Sequence, residues 1–197
     1  PYEFRKSIEI EKSRDFAMRP IKKLKIGAPQ TGKLTAKGVF SDNIKDAPKS
    51  DRMYAAFLSS RDDSFIKRTE NGFKAELSEN DNADGCYFIF DLGGESAGFL
   101  DLCINVPEKA EVLIGYGEHC DDMRVRSRLG SRNFCFRYVA KPGFNEFFYP
   151  YQRIGLRFLQ IHVYSRSAEI IRAGIRPSDY PLNILPCPVT DGLHKMI

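Results

Sequence analysis

The stretch CYFIFDLGGESAGFLDLCINV, Cys86–Val106, decides how the chain folds. Its second half alternates. Leu100, Leu102, Ile104 and Val106 share one face of an extended chain, and Phe99, Asp101, Cys103 and Asn105 share the other, because successive strand side chains point to opposite faces. One face is core and the other is mixed. Asp91–Gly94, DLGG, has the composition of a turn. The stretch therefore reads as two strands, CYFIFDL and GFLDLCINV, joined there. No helix follows the glycines, which excludes a phosphate cradle.

The same pattern continues outward. Extended runs recur with turn signals about 8 to 12 residues apart, the spacing of an all-β sandwich or barrel. GKLTAKGVF, RMYAAFLSS and NGFKAEL precede the stretch, and AEVLIGYGE, NFCFRYVA, NEFFYPY, LRFLQIHVY and EIIRAGIR follow it. Val112, Ile114 and Tyr116 fall on one face of their strand. Leu159, Ile161 and Val163 do the same opposite Phe158, Gln160 and His162, and His162 reads as an ordinary strand histidine. The expected fold is an all-β, antiparallel, jelly-roll-like β-sandwich over residues 31–182. An extended linker over 1–30 precedes it, and a segment over 183–197 follows in which Thr190 or Asp191 caps the start of a helix. A capped amphipathic helix that stops within two turns, in a chain without an initiator Met, leads us to expect a domain of a longer protein.

Composition narrows the function. The chain has 197 residues, 42% hydrophobic and 12% aromatic, enough to bury a core. Its net charge of +4 comes from 30 basic and 26 acidic residues spread along the whole length, and the basic cluster RPIKKLKIGAPQTGK reads as a solvated face, so neither nucleic acid nor a membrane is an expected partner. No apolar run reaches the roughly 20 residues of a bilayer span. Five cysteines without a C-x-x-C pair suit neither a zinc ribbon nor a small disulfide framework, and they leave the compartment open.

The densest charge lies in YGEHCDDMRVRSRLGSRNF, Tyr116–Phe134. If the strand runs to residue 120, Glu118 and Cys120 face one way and His119 the other, so His119 and Cys120 cannot easily hold the same zinc ion. Glu118, Asp121 and Asp122 offer some of the oxygens that calcium needs, but four arginines offset them, so no metal or other cofactor is expected and calcium is only the secondary alternative. Carboxylates beside guanidinium groups are held ionised, which suits them poorly to act as a general acid. Arg124, Arg126 and Arg128 at period two line one face of an extended segment. With Glu118, Asp122 and Arg132 they form a candidate docking edge for carboxylates of a neighbouring domain. Tyr149 and Tyr151 are the alternative candidates, as a sugar-stacking platform in a chain without Trp. No catalytic residue is expected in the chain.

YFIFDLGGESAGFLDLCINVPEKAEVLIGYGEHCDDMRVR, NFCFRYVAKPGFNEFFYPYQRIGLRFLQIHV and GIRPSDYPL carry a resemblance. In order they hold an F-D-x-G element at Phe90, Asp91 and Gly93, a strand start at Gly98–Leu100, Y-G-E at Tyr116–Glu118, a G-x-R-[FY]-[LV] strand at Gly155–Leu159, and R-P-[ST]-D-Y-P at Arg176–Pro181. Together they resemble the β-sandwich domain preceding the α/α-barrel of bacterial α-L-rhamnosidases, over residues 86–182. The resemblance implies an accessory domain whose partner is the catalytic barrel of the same parent, an inverting glycosidase acting on terminal α-L-rhamnose in the periplasm or outside the cell. The family's catalytic acids lie in the barrel and map to no residue here. A carbohydrate-binding module, recognising rhamnose or a related sugar with or without calcium, is the alternative.

Overall fold

The computed structural model describes residues 21–181, and the elements considered below lie within the unit Leu24–Asp179. In chain order they are β1 (Lys25–Ile26), β2 (Gln30–Thr31), β3 (Lys33–Ser41), α1 (Lys49–Ala55), β4 (Phe57–Ser60), β5 (Ile66–Arg68), β6 (Phe73–Glu76), β7 (Gly85–Val106), β8 (Ala110–Gly117), β9 (Cys120–Asp121), β10 (Arg124–Val125), β11 (Arg128–Leu129), β12 (Arg132–Asn133), β13 (Cys135–Ala140), β14 (Gly143–Phe148), β15 (Ile154–Val163) and β16 (Ser167–Asp179). Every pairing among them is antiparallel. The fold is an all-β sandwich. Lys25 and Ile26 pair with Asp179 and Ser178, so hydrogen bonding to the sheet begins inside the segment read as a linker. The expected helix start at Thr190 or Asp191 lies outside the described residues.

β7 is one strand of 22 residues, which corrects the reading of DLGG as a turn between two strands. Gly93 takes φ +84°, a conformation open to glycine. The Gly93 N–H donates to Asp91 Oδ1 at 2.8 Å, so the strand passes through this point without reversing. Its two halves have different neighbours. Cys86–Asp91 lies between β3 and β15, and Asp101–Asn105 lies between β14 and β16. The order β13-β8-β15-β7-β3-β4 makes one layer and β14-β7-β16-β6-β5 the other, with β7 shared by both.

The alternation read from the sequence fills the space between the layers. Phe88, Phe90, Leu100, Leu102, Ile104, Val106, Val112, Ile114, Leu159, Ile161 and Val163 belong to one buried cluster. Burying each such side chain stabilises the fold by about 1.5–3 kcal/mol relative to exposure. The outer face of the second layer holds Asp101, 2% exposed, against Arg172 and Arg176.

The outer face of the first layer is also covered. Tyr87, Ile89, Phe40 and Val125 form a second cluster and Met53, Leu113 and Cys135 a third. The cover is partly α1, which corrects the reading of RMYAAFLSS as a strand. Only Phe57–Ser60 is extended. Pro48 precedes the helix, the Asp51 and Arg52 N–H groups close its first turn on the Pro48 carbonyl, and Ser50 and Met53 are buried three residues apart, a helical spacing that overrides the short alternation. Arg52 fixes the helix to the sheet. Its Nε donates to Asp42 at 2.8 Å, and its two Nη atoms donate to Glu111 at 3.1 and 3.0 Å. Burial alone would raise the Asp42 and Glu111 carboxyls, but the hydrogen bonds from Arg52, with Tyr164 on Asp42 and Arg137 on Glu111, hold both below their ordinary values.

Candidate functional site

Tyr116–Phe134 folds as two small hairpins laid on β8. β9 and β10 pair Cys120 with Val125 and Asp121 with Arg124. β11 and β12 pair Leu129 with Arg132 and Arg128 with Asn133. At the first tip Asp122 and Met123 have φ +48° and +58°, the positive values that a two-residue type I′ turn demands. Two glycines let the connector between the hairpins approach the strand. A Cβ on Gly115 would meet Ser127 Cβ at 2.9 Å, and one on Gly117 would meet the Arg126 carbonyl at 2.9 Å.

The hairpins are pinned from below by a buried polar pair. Gln160 Oε1 accepts the Val125 N–H at 2.9 Å, and Gln160 Nε2 lies 2.8 Å from His162 Nε2. His162 is fully buried and stacks on Phe40 at 4.3 Å between centroids. Burial pushes its imidazole down to about 3, so it is neutral at ordinary pH. It is a core histidine with Nδ1 unpaired.

The three arginines of the row have separate partners within the chain. Arg124 donates to the Tyr54 carbonyl at 2.9 Å, Arg126 to Asp121 at 2.7 Å, and Arg128 to Asp51 at the start of α1. Val125 and Ser127 are buried between them, so period two holds while the three guanidinium groups point to three partners. Arg126 and Arg128 keep about half of their side chains exposed, at 50% and 48%. Asp122, Glu118 and Arg132 are exposed. Arg132 and Glu118 have no ion-pair partner among the described residues. Tyr149 packs on Phe136 at 5.1 Å between centroids and lies against the main core, whereas Tyr151 is 87% exposed.

Between the end of β8 and the second hairpin lies an open depression of about 420 Å³, lined by Tyr116, Glu118, His119, Arg126, Leu129, Arg132, Phe134 and Gly155. Phe134 closes the stretch that the sequence singles out, whereas Gly155 joins the region from β15, whose later residues Phe158–Val163 pair with β8. The available signal is a glycine inside a strand, which weakens the strand unless something needs the room. Among the described residues no group of three or more His, Cys, Asp or Glu side chains is placed to hold a metal ion, and Asp121 is already engaged by Arg126. Cys86, Cys103, Cys120 and Cys135 are free thiols, and burial pushes Cys86 and Cys135 up to about 12. No helix among the described residues is long and apolar enough to cross a membrane.

No protein-family model and no curated protein matches the chain. Solved structures do. A rhamnosidase from Klebsiella oxytoca with rhamnose bound aligns at a TM-score of 0.50 and 15% identity, over 86% of this chain and 32% of that one. A GH78 family rhamnosidase of Bacillus sp. GL1 aligns at 0.48 and 22% identity, over 66% of this chain and 14% of that one. The chain thus spans a third or less of these proteins, and at these identities the likeness is one of fold.

Proposed function

We propose that the chain is an accessory β-sandwich domain of an α-L-rhamnosidase, and that it supports hydrolysis of terminal α-L-rhamnose by a catalytic α/α-barrel of the same parent. The observation that carries this reading is the alignment over 86% of this chain but 32% of the rhamnosidase. The docking edge is the pair of hairpins, where exposed Arg126, Arg128 and Arg132 stand beside Glu118 and Asp122. Guanidinium groups at such an edge bind carboxylates of a facing surface in two-point geometry. The test compares Arg126→Glu in the 197-residue chain and in its full-length parent. Docking predicts a larger fall in melting temperature, with loss of aryl-rhamnoside hydrolysis, in the parent than in the short chain. Equal effects in both, or none, overturn it.

A second reading is a carbohydrate-binding module, and the observation favouring it is the depression beside Gly155. Calcium has little support, because the carboxylates of the first hairpin are directed to arginine or to solvent. Titration of the chain with L-rhamnose, with and without calcium, decides the reading; no heat or shift change at millimolar sugar removes it.

A further inference from the structure

Gly155 is a strand residue for which neither backbone nor packing requires a glycine. Its φ lies outside the left-handed region, and a Cβ built on it meets no atom within 4 Å. Its missing side chain has one structural consequence, which is to leave the depression above it open. Around that opening the chemistry is mixed in a specific way. Glu118 supplies a carboxylate acceptor and Arg132 a guanidinium donor, each lining the depression without pairing with the other. Leu129 is 53% exposed, and the half-buried Phe134 ring packs edge-on to Tyr116 at 5.6 Å, so both offer apolar surface. Arg126 is neutralised by Asp121. An anionic ligand would meet Glu118, and a purely apolar one would strand both charges.

We infer that the depression bounded by Gly155, Glu118, Arg132, Leu129 and Phe134 is a subsite for one neutral sugar residue. The C–H face of the ring packs on Leu129 and Phe134, Glu118 accepts from one ring hydroxyl, and Arg132 donates to its neighbour. The inference rests on the carbohydrate-binding reading and moves its site from Tyr149 and Tyr151 to this opening.

The test is a titration of the 197-residue chain with L-rhamnose, with L-fucose and D-galacturonate as comparators, followed by amide shifts. The neutral sugars should bind in the millimolar range and perturb Glu118, Leu129 and Gly155, and galacturonate should bind at least several-fold more weakly. Gly155→Trp should fill the opening and weaken L-rhamnose binding at least tenfold with an unchanged melting temperature. If it unfolds, the exposed pair Glu118→Gln with Arg132→Met serves instead, with the same expected loss. Wild-type affinity in these variants together with loss in Tyr151→Ala sinks the subsite and leaves the module reading standing. No binding of any of the three sugars to the unmodified chain sinks both.

Discussion

Arg157 grips Asp91 at two points, Nε to Oδ1 and Nη2 to Oδ2, both at 2.9 Å, where β15 slips register against β7 between Leu156 and Phe158. The F-D-x-G and G-x-R-F-L elements of the sequence are therefore halves of one contact. Asp91 also accepts the Gly93 N–H, so the same carboxylate steadies the strand at its positive-φ glycine. The hydrogen bonds from Arg157 hold the Asp91 carboxyl below its ordinary value.

Arg157→Lys keeps the charge and removes the planar fork. Because the arginine is partly exposed, its loss should lower the melting temperature by only about 2–4 °C. Asp91→Ala, which also strands the Gly93 N–H, should lower it further. Equal melting of the two variants would show that the Gly93 contact is idle.

Arg52 tests a buried network. Its side chain is 12% exposed and its partner Asp42 is fully covered. Arg52→Ala leaves a buried carboxylate beside Tyr164 and should destabilise the chain by about 3–5 kcal/mol in urea unfolding, the usual cost of breaking a buried ion pair from one side. The triple variant Arg52→Met, Asp42→Asn, Glu111→Gln removes the charges together and should recover most of that loss. If it does not, the network is required for placing α1 beyond its charge balance.

Much of the sandwich is legible in the sequence, because alternation at period two is a local signal. Leu100, Leu102, Ile104 and Val106 announce their face without knowledge of their neighbours. What stays hidden depends on partners distant along the chain. DLGG reads as a turn because its glycines suit one, and the continuity of β7 comes from β15 pairing across both sides of it, down to Ile154 with Gly98. RMYAAFLSS alternates over a short window, and the ion pairs of Arg52 with Asp42 and Glu111 select the helix. The arginine row was visible as spacing, but spacing could not tell that Arg124, Arg126 and Arg128 would find separate partners. Gly155 shows in the sequence only as a glycine inside a strand, and the depression takes form where the end of β8 and the second hairpin lie beside it.

His162 predicts an acid-sensitive slope. Burial pushes its imidazole down to about 3, against an ordinary value of 6.5. As pH falls below 6.5 the unfolded chain takes up a proton that the folded chain refuses, so stability is full above that value and declines toward pH 3. The slope is at most about 1.4 kcal/mol per pH unit. Between pH 6.5 and 5 the carboxylates of Asp42, Glu111 and Asp91, all held low, contribute little. His162→Phe should therefore flatten urea-unfolding stability across that window, whatever its effect at pH 7. An unchanged slope would mean that His162 is protonated in the folded chain.

The tip of the first hairpin makes the opposite kind of prediction, a gain. Met123 has φ +58°, a conformation that costs a side-chain-bearing residue roughly 1–2 kcal/mol, and at 49% exposure it recovers little by burial. Its sulfur lies 3.9 Å from Ser60 Oγ, a weak contact. Met123→Gly relieves the strain and loses some of the benefit to the greater freedom of glycine in the unfolded chain, so the isolated chain should gain about 0.5–1 kcal/mol in urea unfolding. Strain kept at an exposed site calls for a use elsewhere, and exposed Tyr54 and Phe57 belong to the segment that this hairpin meets through the bonds of Arg124 to the Tyr54 carbonyl and Ser60 to Met123. If the hairpin docks on a neighbouring domain, Met123→Gly should stabilise the short chain while lowering the melting temperature of the full-length parent. A gain in both would assign the strain to history and remove the tip from the docking edge.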